Sequence, residues 1–145
     1  MRNYNLKLCA IALLTSSLVA CTKQTTDIVP ETTPDMANKF MGRYVGAYAE
    51  ISDNGSLLAE KQSVVVTKNS EKELTINISV WGINFSLNGI VQNDSLVTIT
   101  DRKYMDKELT SGMVVLRGKN NLCVKLTTKE IDSPTVVSVS YDGKK

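Results

Sequence analysis

One seven-residue segment constrains the fold of this chain more than any other. Residues 74–80 read Leu-Thr-Ile-Asn-Ile-Ser-Val, with an apolar side chain at every second position. Successive side chains of a β-strand point to opposite faces, so this spacing puts the four aliphatic side chains on one face. A helix would need a period near 3.6 residues, which residues 38–143 nowhere sustain. The alternation therefore predicts a half-buried strand.

The alternation changes phase immediately after this strand. Residues 83–87 read Ile-Asn-Phe-Ser-Leu, and their apolar side chains stand at odd positions instead of even ones. A tight turn or a β-bulge at Trp81-Gly82 is needed to change the phase, and Gly82 supplies the backbone freedom for either.

Further segments of the same kind indicate about eight strands. Turn-forming residues separate most of them, as in Asp53-Asn54-Gly55 and Ser133-Pro134. Short links favour antiparallel neighbours, which predicts an all-β fold: a small antiparallel meander that closes into a barrel, with a β-sandwich as the alternative. Residues 102–112 are expected to form a loop or a single helical turn. The remaining predicted strands are Phe40–Ile51, Gln62–Lys68, Ser95–Asp101, Met113–Arg117, Leu122–Thr128 and Thr135–Tyr141.

The inward positions of these strands define an expected core. Its members are large apolar side chains, each of which contributes about 1.5–3 kcal/mol when fully buried. They are Val64, Val66, Leu74, Ile76, Ile78, Val80, Phe85, Leu87, Val97, Ile99, Val114, Leu116, Leu122, Val124, Leu126, Val137 and Val139.

The first twenty residues have the features of an export signal. Arg2 and Lys7 precede a 13-residue apolar stretch, Leu8 to Ala20, which is too short to span ~30 Å of hydrocarbon. The stretch ends in Leu18-Val19-Ala20-Cys21, which resembles the lipobox of bacterial lipoproteins. The resemblance implies cleavage before Cys21 and lipidation of its thiol, with an ordinary cleaved signal as the alternative. Because Thr22 is not aspartate, the enterobacterial sorting rule favours an outer-membrane location within the cell envelope.

A tether and a single domain are expected to follow. Residues 21–37 contain the lipidated cysteine and a Thr/Pro-rich segment with little apolar surface to bury, and residues 38–145 form the domain. Cys123 is the one cysteine left over, so no internal disulfide is expected in the mature chain.

Composition excludes several classes of function. The chain has no histidine, which rules out Ser-His-Asp triads and histidine-based zinc sites, so neither a metal nor a cofactor is expected. Without Arg2 and Lys7, fifteen basic side chains balance fifteen acidic ones, so the chain lacks the basic field of a nucleic-acid-binding protein. The acids Glu50, Asp53, Glu60, Glu71 and Glu73 are most simply a solvated rim.

The first strand carries a resemblance to a family. Gly42, Tyr44, Gly46 and Tyr48 share one face, where the glycines favour a sharply coiled strand and the tyrosines either cover them or contact a ligand. Together with the lipobox and the tether, this Gly-x-Tyr-x-Gly strand resembles the calycin-like lipoproteins of gut Bacteroidales and, more distantly, the lipocalins. The resemblance implies a small antiparallel barrel with a ligand at one mouth.

Two further features mark candidate sites. Trp81 and Phe85 join Tyr44 and Tyr48 as candidate ligand-binding residues, although the plug of a barrel end is the favoured interpretation of Trp81. Asp94-Ser95-Leu96 matches the acceptor pattern of O-glycosylation in Bacteroidetes, which makes Ser95 a candidate modification site.

The sequence therefore predicts a lipid-anchored, non-enzymatic binding module for a small hydrophobic molecule, a glycan or a protein partner. The alternatives are a structural subunit of an envelope complex, an enzyme inhibitor that inserts a loop, and a hydrolase with carboxylates alone. A barrel filled by its own side chains would favour docking or inhibition, whereas an open apolar cavity would favour ligand binding.

Overall fold

The computed structural model describes residues 35–145, so the predicted leader, Cys21 and the tether as far as residue 34 lie outside it. The described part contains one short helix and nine strands. They are α1 (Ala37–Phe40), β1 (Gly42–Ser52), β2 (Gly55–Lys68), β3 (Glu73–Val80), β4 (Ile83–Asn93), β5 (Leu96–Ile99), β6 (Lys103–Tyr104), β7 (Lys107–Arg117), β8 (Asn121–Lys129) and β9 (Val136–Lys144). No helix within residues 35–145 combines the length and the hydropathy that a membrane-crossing helix needs.

Eight of the strands form a closed antiparallel barrel. Strands β1 to β5 pair in sequence order, β5 pairs with β7, and β7 to β9 continue the meander. The barrel closes because β9 pairs antiparallel with β1, and β6 is a two-residue addition to the edge of β7. The predicted all-β meander is confirmed as a barrel, and the alternative of two packed sheets is wrong.

The closing seam depends on two glycines that face each other. Gly46 of β1 is paired with Gly143 of β9, and a Cβ atom at position 46 would overlap the backbone of residues 142 and 143. The Tyr141 ring covers Gly143 from inside the barrel. Only glycine permits this close approach of two backbones, which explains the glycine that interrupts the first strand.

The predicted core is confirmed at all but one position. Every member is buried except Phe85, which is half-buried at one end of the barrel. The core also contains aromatic side chains that alternation of aliphatic residues did not identify. They are Phe40, Tyr44, Tyr48, Tyr104 and Tyr141, none of which exposes more than 2% of its surface.

One end of the barrel, which we name the closed end, is covered by α1. The helix buries Ala37 and Phe40 against the core, and the hydroxyl of Tyr44 donates a 2.8 Å hydrogen bond to the carbonyl oxygen of Phe40. Ion pairs from Lys68 to Asp35 and from Lys39 to Asp94 fasten the segment to neighbouring turns. The turns at 69–72, 94–95 and 118–120 lie at this end, as does Lys145.

Three local predictions differ from the structure, and one of them is the start of β2, which lies at Gly55 and not at Gln62. The strand predicted from Phe40 begins at Gly42, because Phe40 ends α1, which also takes in Ala37 from the expected tether. The loop or helical turn expected over 102–112 is wrong, since these residues form β6 and the first half of β7. The apolar/polar alternation of these residues is weak because few of them are apolar. A register shift between Leu109 and Ser111 also interrupts it.

Candidate functional site

The opposite end of the barrel, which we name the mouth, begins with the turn between β3 and β4. Trp81 and Gly82 both have positive φ, 51° and 79°, and join two strands that pair from Val80 and Ile83 onward. Of the two interpretations of the phase change, the tight two-residue turn is therefore confirmed. A tryptophan is an unusual residue at positive φ, and the turn exposes 55% of its surface at the mouth.

The turn brings Trp81 onto a group of aromatic rings. The Trp81 ring meets that of Tyr48 edge to face, with centroids 5.9 Å apart and planes at 75°. Phe85 packs against Tyr104 at 5.3 Å, and the hydroxyls of Tyr104 and Tyr48 lie 3.5 Å apart. Four rings from β1, β6, β4 and the β3–β4 turn therefore form one continuous aromatic floor beneath the mouth.

A charged pair sits beside this floor. Glu50 lies two residues after Tyr48 on β1, so its side chain points to the same inner face. Its carboxylate accepts a 3.1 Å hydrogen bond from the Tyr48 hydroxyl and lies 3.0 Å from the Lys107 ammonium nitrogen. The two charged side chains expose only 19% and 24% of their surfaces, so they are partly withdrawn from water.

The tyrosines below the pair remain protonated over the physiological range. Burial raises the pKa of Tyr48, and the Tyr104 hydroxyl and the Glu50 carboxylate raise it further because each disfavours a phenolate. Burial also raises the pKa of Tyr104. Both hydroxyls are therefore neutral groups that can orient a carboxylate, and neither is a candidate base or nucleophile.

Apolar side chains surround the mouth and are open to solvent. Leu57 exposes 55% and Ile83 57% of their surfaces, values close to that of Trp81. Leu57 is paired with Glu50 across β1 and β2, which places it beside the charged pair. Further exposed apolar residues of the mouth are Ile51, Leu58, Met105, Ile131 and Val136. Exposed apolar side chains gathered at one end of a barrel mark an interaction surface.

The barrel wall is incompletely paired next to the mouth. β5 pairs with β4 only from Gly89 to Asn93, so the edge of β4 over residues 83–88 has no strand partner in the described chain. Asp101 caps the lower end of this edge through the backbone N–H of Asn88. The Phe85–Tyr104 contact closes the inside of the opening.

The structure separates one of the four candidate ligand-binding residues from the others. Tyr48, Trp81 and Phe85 meet at the mouth, whereas Tyr44 lies at the closed end with no exposed surface. Sequence reasoning missed Tyr104 and Lys107, which it assigned to a loop, and it assigned Glu50 to a solvated rim. The spacing of Glu50 from Tyr48 was the one available signal, since it places both on the inner face.

Other sites suggested by the sequence occupy different places. Ser95 is exposed in the turn between β4 and β5, and its hydroxyl lies 3.1 Å from the Asn93 side-chain oxygen. Its glycosylation stays a prediction. Cys123 is buried, and burial raises the pKa of its thiol, so it is an unreactive packing residue. Within residues 35–145 no three metal-binding side chains gather at one point.

Comparisons with known proteins extend the fold assignment. No protein-family model matches the chain. No curated protein matches it either. Among solved structures it is similar to a candidate outer membrane protein of Bacteroides fragilis, with a TM-score of 0.57 and 12% identity over 77% of this chain and 53% of the other.

Two further solved structures are similar to the chain in fold. A DUF3598 protein of unknown function from Nostoc punctiforme gives a TM-score of 0.57 at 8% identity, over 75% of this chain and 48% of the other. A redesigned β-barrel, mFAP1, bound to DFHBI, gives 0.50 at 11% identity, over 77% of this chain and 99% of the other. The chain thus spans about half the length of the two natural proteins. At these identities the comparisons establish a shared barrel fold.

Proposed function

We propose that this chain is a non-enzymatic, lipid-anchored module of the bacterial envelope that binds a protein partner at the mouth of its barrel. The observation that carries the proposal is the concentration of exposed Leu57, Trp81 and Ile83 at the same end of the barrel as the partly buried Glu50–Lys107 pair. Apolar and aromatic side chains around a few placed polar groups are the usual composition of an interface centre.

The occupied interior favours a protein partner over a small molecule within the barrel. Tyr48, Tyr104 and Tyr141 fill the space behind the mouth, and a ligand would have to displace them to enter. A partner that stays on the rim displaces nothing. The rim also offers unpaired backbone groups along β4, which a partner can use for hydrogen bonds.

The chemistry of the mouth supports a binding role and no reaction. The Glu50 carboxylate is neutralised by Lys107 and hydrogen-bonded to Tyr48, so it is held as an ion-pair member. The other acids of the predicted rim are divided between the two ends of the barrel, with Glu71 and Glu73 at the closed end, so they do not form one carboxylate site.

Site-specific photo-crosslinking in intact cells tests the proposal. A photoreactive residue at Ile83 should give a discrete crosslinked protein, and Leu57→Ser combined with Trp81→Ser should abolish it. The matched control is Met113, which exposes 42% of its surface on the wall of the barrel. Equal products from both positions would contradict a specific mouth interface. A small molecule retained in the native mass spectrum, with no protein product at Ile83, would favour the ligand alternative.

Lipid attachment at Cys21 is the second part of the proposal, and it rests on the lipobox. The neighbour from Bacteroides fragilis, an outer membrane candidate, supports an envelope location. Two or three acyl chains on one cysteine would anchor the protein far more firmly than a single chain. We expect Cys21→Ser to move the protein from the membrane to the soluble fraction and to remove the mass of the lipid. Membrane retention of the variant would contradict the anchor.

A further inference from the structure

The charged side chains of the barrel are sorted between its two ends. The closed end carries eight basic side chains against five acidic ones, all within two residues of α1, a turn or a strand end. The basic ones are Lys39, Arg43, Lys68, Lys72, Arg117, Lys119, Lys144 and Lys145, and the acidic ones are Asp35, Glu71, Glu73, Asp94 and Asp142. The mouth has the opposite balance, with five basic and eight acidic side chains. The basic ones are Lys61, Arg102, Lys103, Lys107 and Lys129, and the acidic ones are Glu50, Asp53, Glu60, Asp101, Asp106, Glu108, Glu130 and Asp132.

The excess positive charge of the closed end is available for an external partner. Three of its lysine and arginine side chains are in ion pairs with Asp35, Asp94 and Asp142. The other five, Arg43, Lys72, Lys119, Lys144 and Lys145, are exposed and have no carboxylate within salt-bridge distance in residues 35–145.

A cleft at the same end adds a specific feature. It has a volume of about 430 Å³ between α1 and the turns that follow β4 and β7. Lys39, Asp94, Gly118 and Lys119 line it over a base formed by Leu116. Asp94 is paired with Lys39, which leaves the Lys119 ammonium to meet an anionic group.

The described chain also begins at this end. Asp35 is bound to Lys68 at the end of β2, and thirteen residues separate it from the proposed lipid on Cys21. A short connection to the bilayer raises the effective concentration of the closed end at the membrane surface, so a weak electrostatic contact is sufficient for docking.

We infer that the closed end docks on anionic phospholipid headgroups and thereby turns the mouth away from the membrane. The inference rests on the proposed lipid anchor and deepens it, since it assigns an orientation to the anchored domain. Basic side chains near an anionic bilayer are attracted within about one Debye length, ~10 Å at moderate salt. The acidic mouth is repelled by the same surface.

Fluorescence quenching from the bilayer tests the orientation. The lipidated mature protein, carrying a fluorophore at Asn120→Cys in the turn after β7, is placed on vesicles with a headgroup-linked quencher. Cys123 is buried and does not react with the label. On phosphatidylcholine vesicles with one third phosphatidylglycerol, the label should lose most of its emission, whereas Trp81, the only tryptophan, should keep its own. High salt, or vesicles of pure phosphatidylcholine, should restore the fluorescence emission of the label.

Charge reversal supplies matched variants. Lys72→Glu with Lys119→Glu should remove the quenching of the label. Arg102→Glu with Lys129→Glu makes the same change of charge at the mouth and should leave the quenching intact. Quenching of Trp81 in place of the label would overturn the inference, as would a label that stays bright on anionic vesicles. If the protein does not co-float with the vesicles in a density gradient, both the lipid anchor and the docking are contradicted. If it co-floats while the label keeps its emission, only the docking is contradicted.

Discussion

At the scale of single residues, the mouth is organised by one charged pair. Glu50 and Lys107 stand 57 residues apart in sequence, and each would be poorly solvated without the other. Their exposed fractions of about a fifth to a quarter place the pair between surface and core, where an unpaired charge costs more than at the surface. The pair joins β1 to the β6–β7 hairpin and thus helps to fix Tyr104 beneath the rim.

The contribution of this pair can be measured by a double-mutant cycle. We expect Glu50→Gln and Lys107→Met each to lower the free energy of unfolding by about 1–3 kcal/mol, because each leaves a partly buried partner unsatisfied. The double variant should lose less than the sum of the two. Urea denaturation provides the measurement.

The exposed pair of Lys39 and Asp94 is the matched control. Its side chains expose 46% and 61% of their surfaces, so Lys39→Met and Asp94→Asn should show a coupling energy below about 1 kcal/mol. Additive effects at Glu50 and Lys107 would show that the mouth pair behaves like this surface pair.

At the scale of strands, alternation of aliphatic residues was a sufficient guide wherever it was regular. Residues 74–80 became β3, with Leu74, Ile76, Ile78 and Val80 buried as expected. The same signal failed over 102–112, because only one inner position there is aliphatic, Leu109, and the others are Tyr104, Lys107 and Gly112. Long-range contacts such as Glu50 with Lys107 were not predictable, since pairing across the closed sheet leaves no local pattern in sequence.

Truncation in β3 tests its central position in the core. Ile76 has no exposed surface, so Ile76→Ala should cost about 2–5 kcal/mol of unfolding free energy through the lost contacts and the remaining cavity. Ile90 on the neighbouring strand exposes 40% of its surface, and Ile90→Ala should cost much less. Similar losses for the two variants, measured by chemical denaturation, would place the core elsewhere.

The seam between β1 and β9 has its own test. In Gly46→Ala the new methyl group would overlap backbone atoms of residues 142 and 143, which cannot rotate away as a side chain would. We expect a loss of about 1–3 kcal/mol and faster amide exchange along both strands. Val45→Ala, on the exposed face of the same strand, is the control and should leave exchange at the seam unchanged.

At the scale of the whole molecule, the barrel interior contains four buried, neutral tyrosines among its aliphatic side chains. Burial raises the pKa of Tyr44 to about 12 and that of Tyr141 to about 12, against a reference value of 10.0. The unfolded chain therefore loses these protons at lower pH than the folded barrel does. Their contribution to stability is complete below pH 10 and is lost as the pH rises toward about 12.

Alkaline denaturation should reveal this linkage. We expect the free energy of unfolding to fall steeply above pH 10, in step with the ultraviolet absorbance of tyrosinate. Tyr44→Phe should flatten the slope, since phenylalanine has no proton to lose, although it also removes the hydrogen bond to Phe40. A tyrosinate signal that appears well before any loss of structure would show that the rings titrate inside the folded barrel.

The seam also has a consequence for how the chain reaches its folded state. Val45 pairs with Lys144, so one edge of β1 has no hydrogen-bonding partner until β9 has formed. Closing a loop of nearly the whole domain is entropically expensive, and barrels dominated by such distant pairings fold slowly. During synthesis, β1 therefore presents an unpaired edge until β9 has been made. An uncovered strand edge is a template for pairing with other chains, so the barrel is most open to aggregation before β9 covers β1.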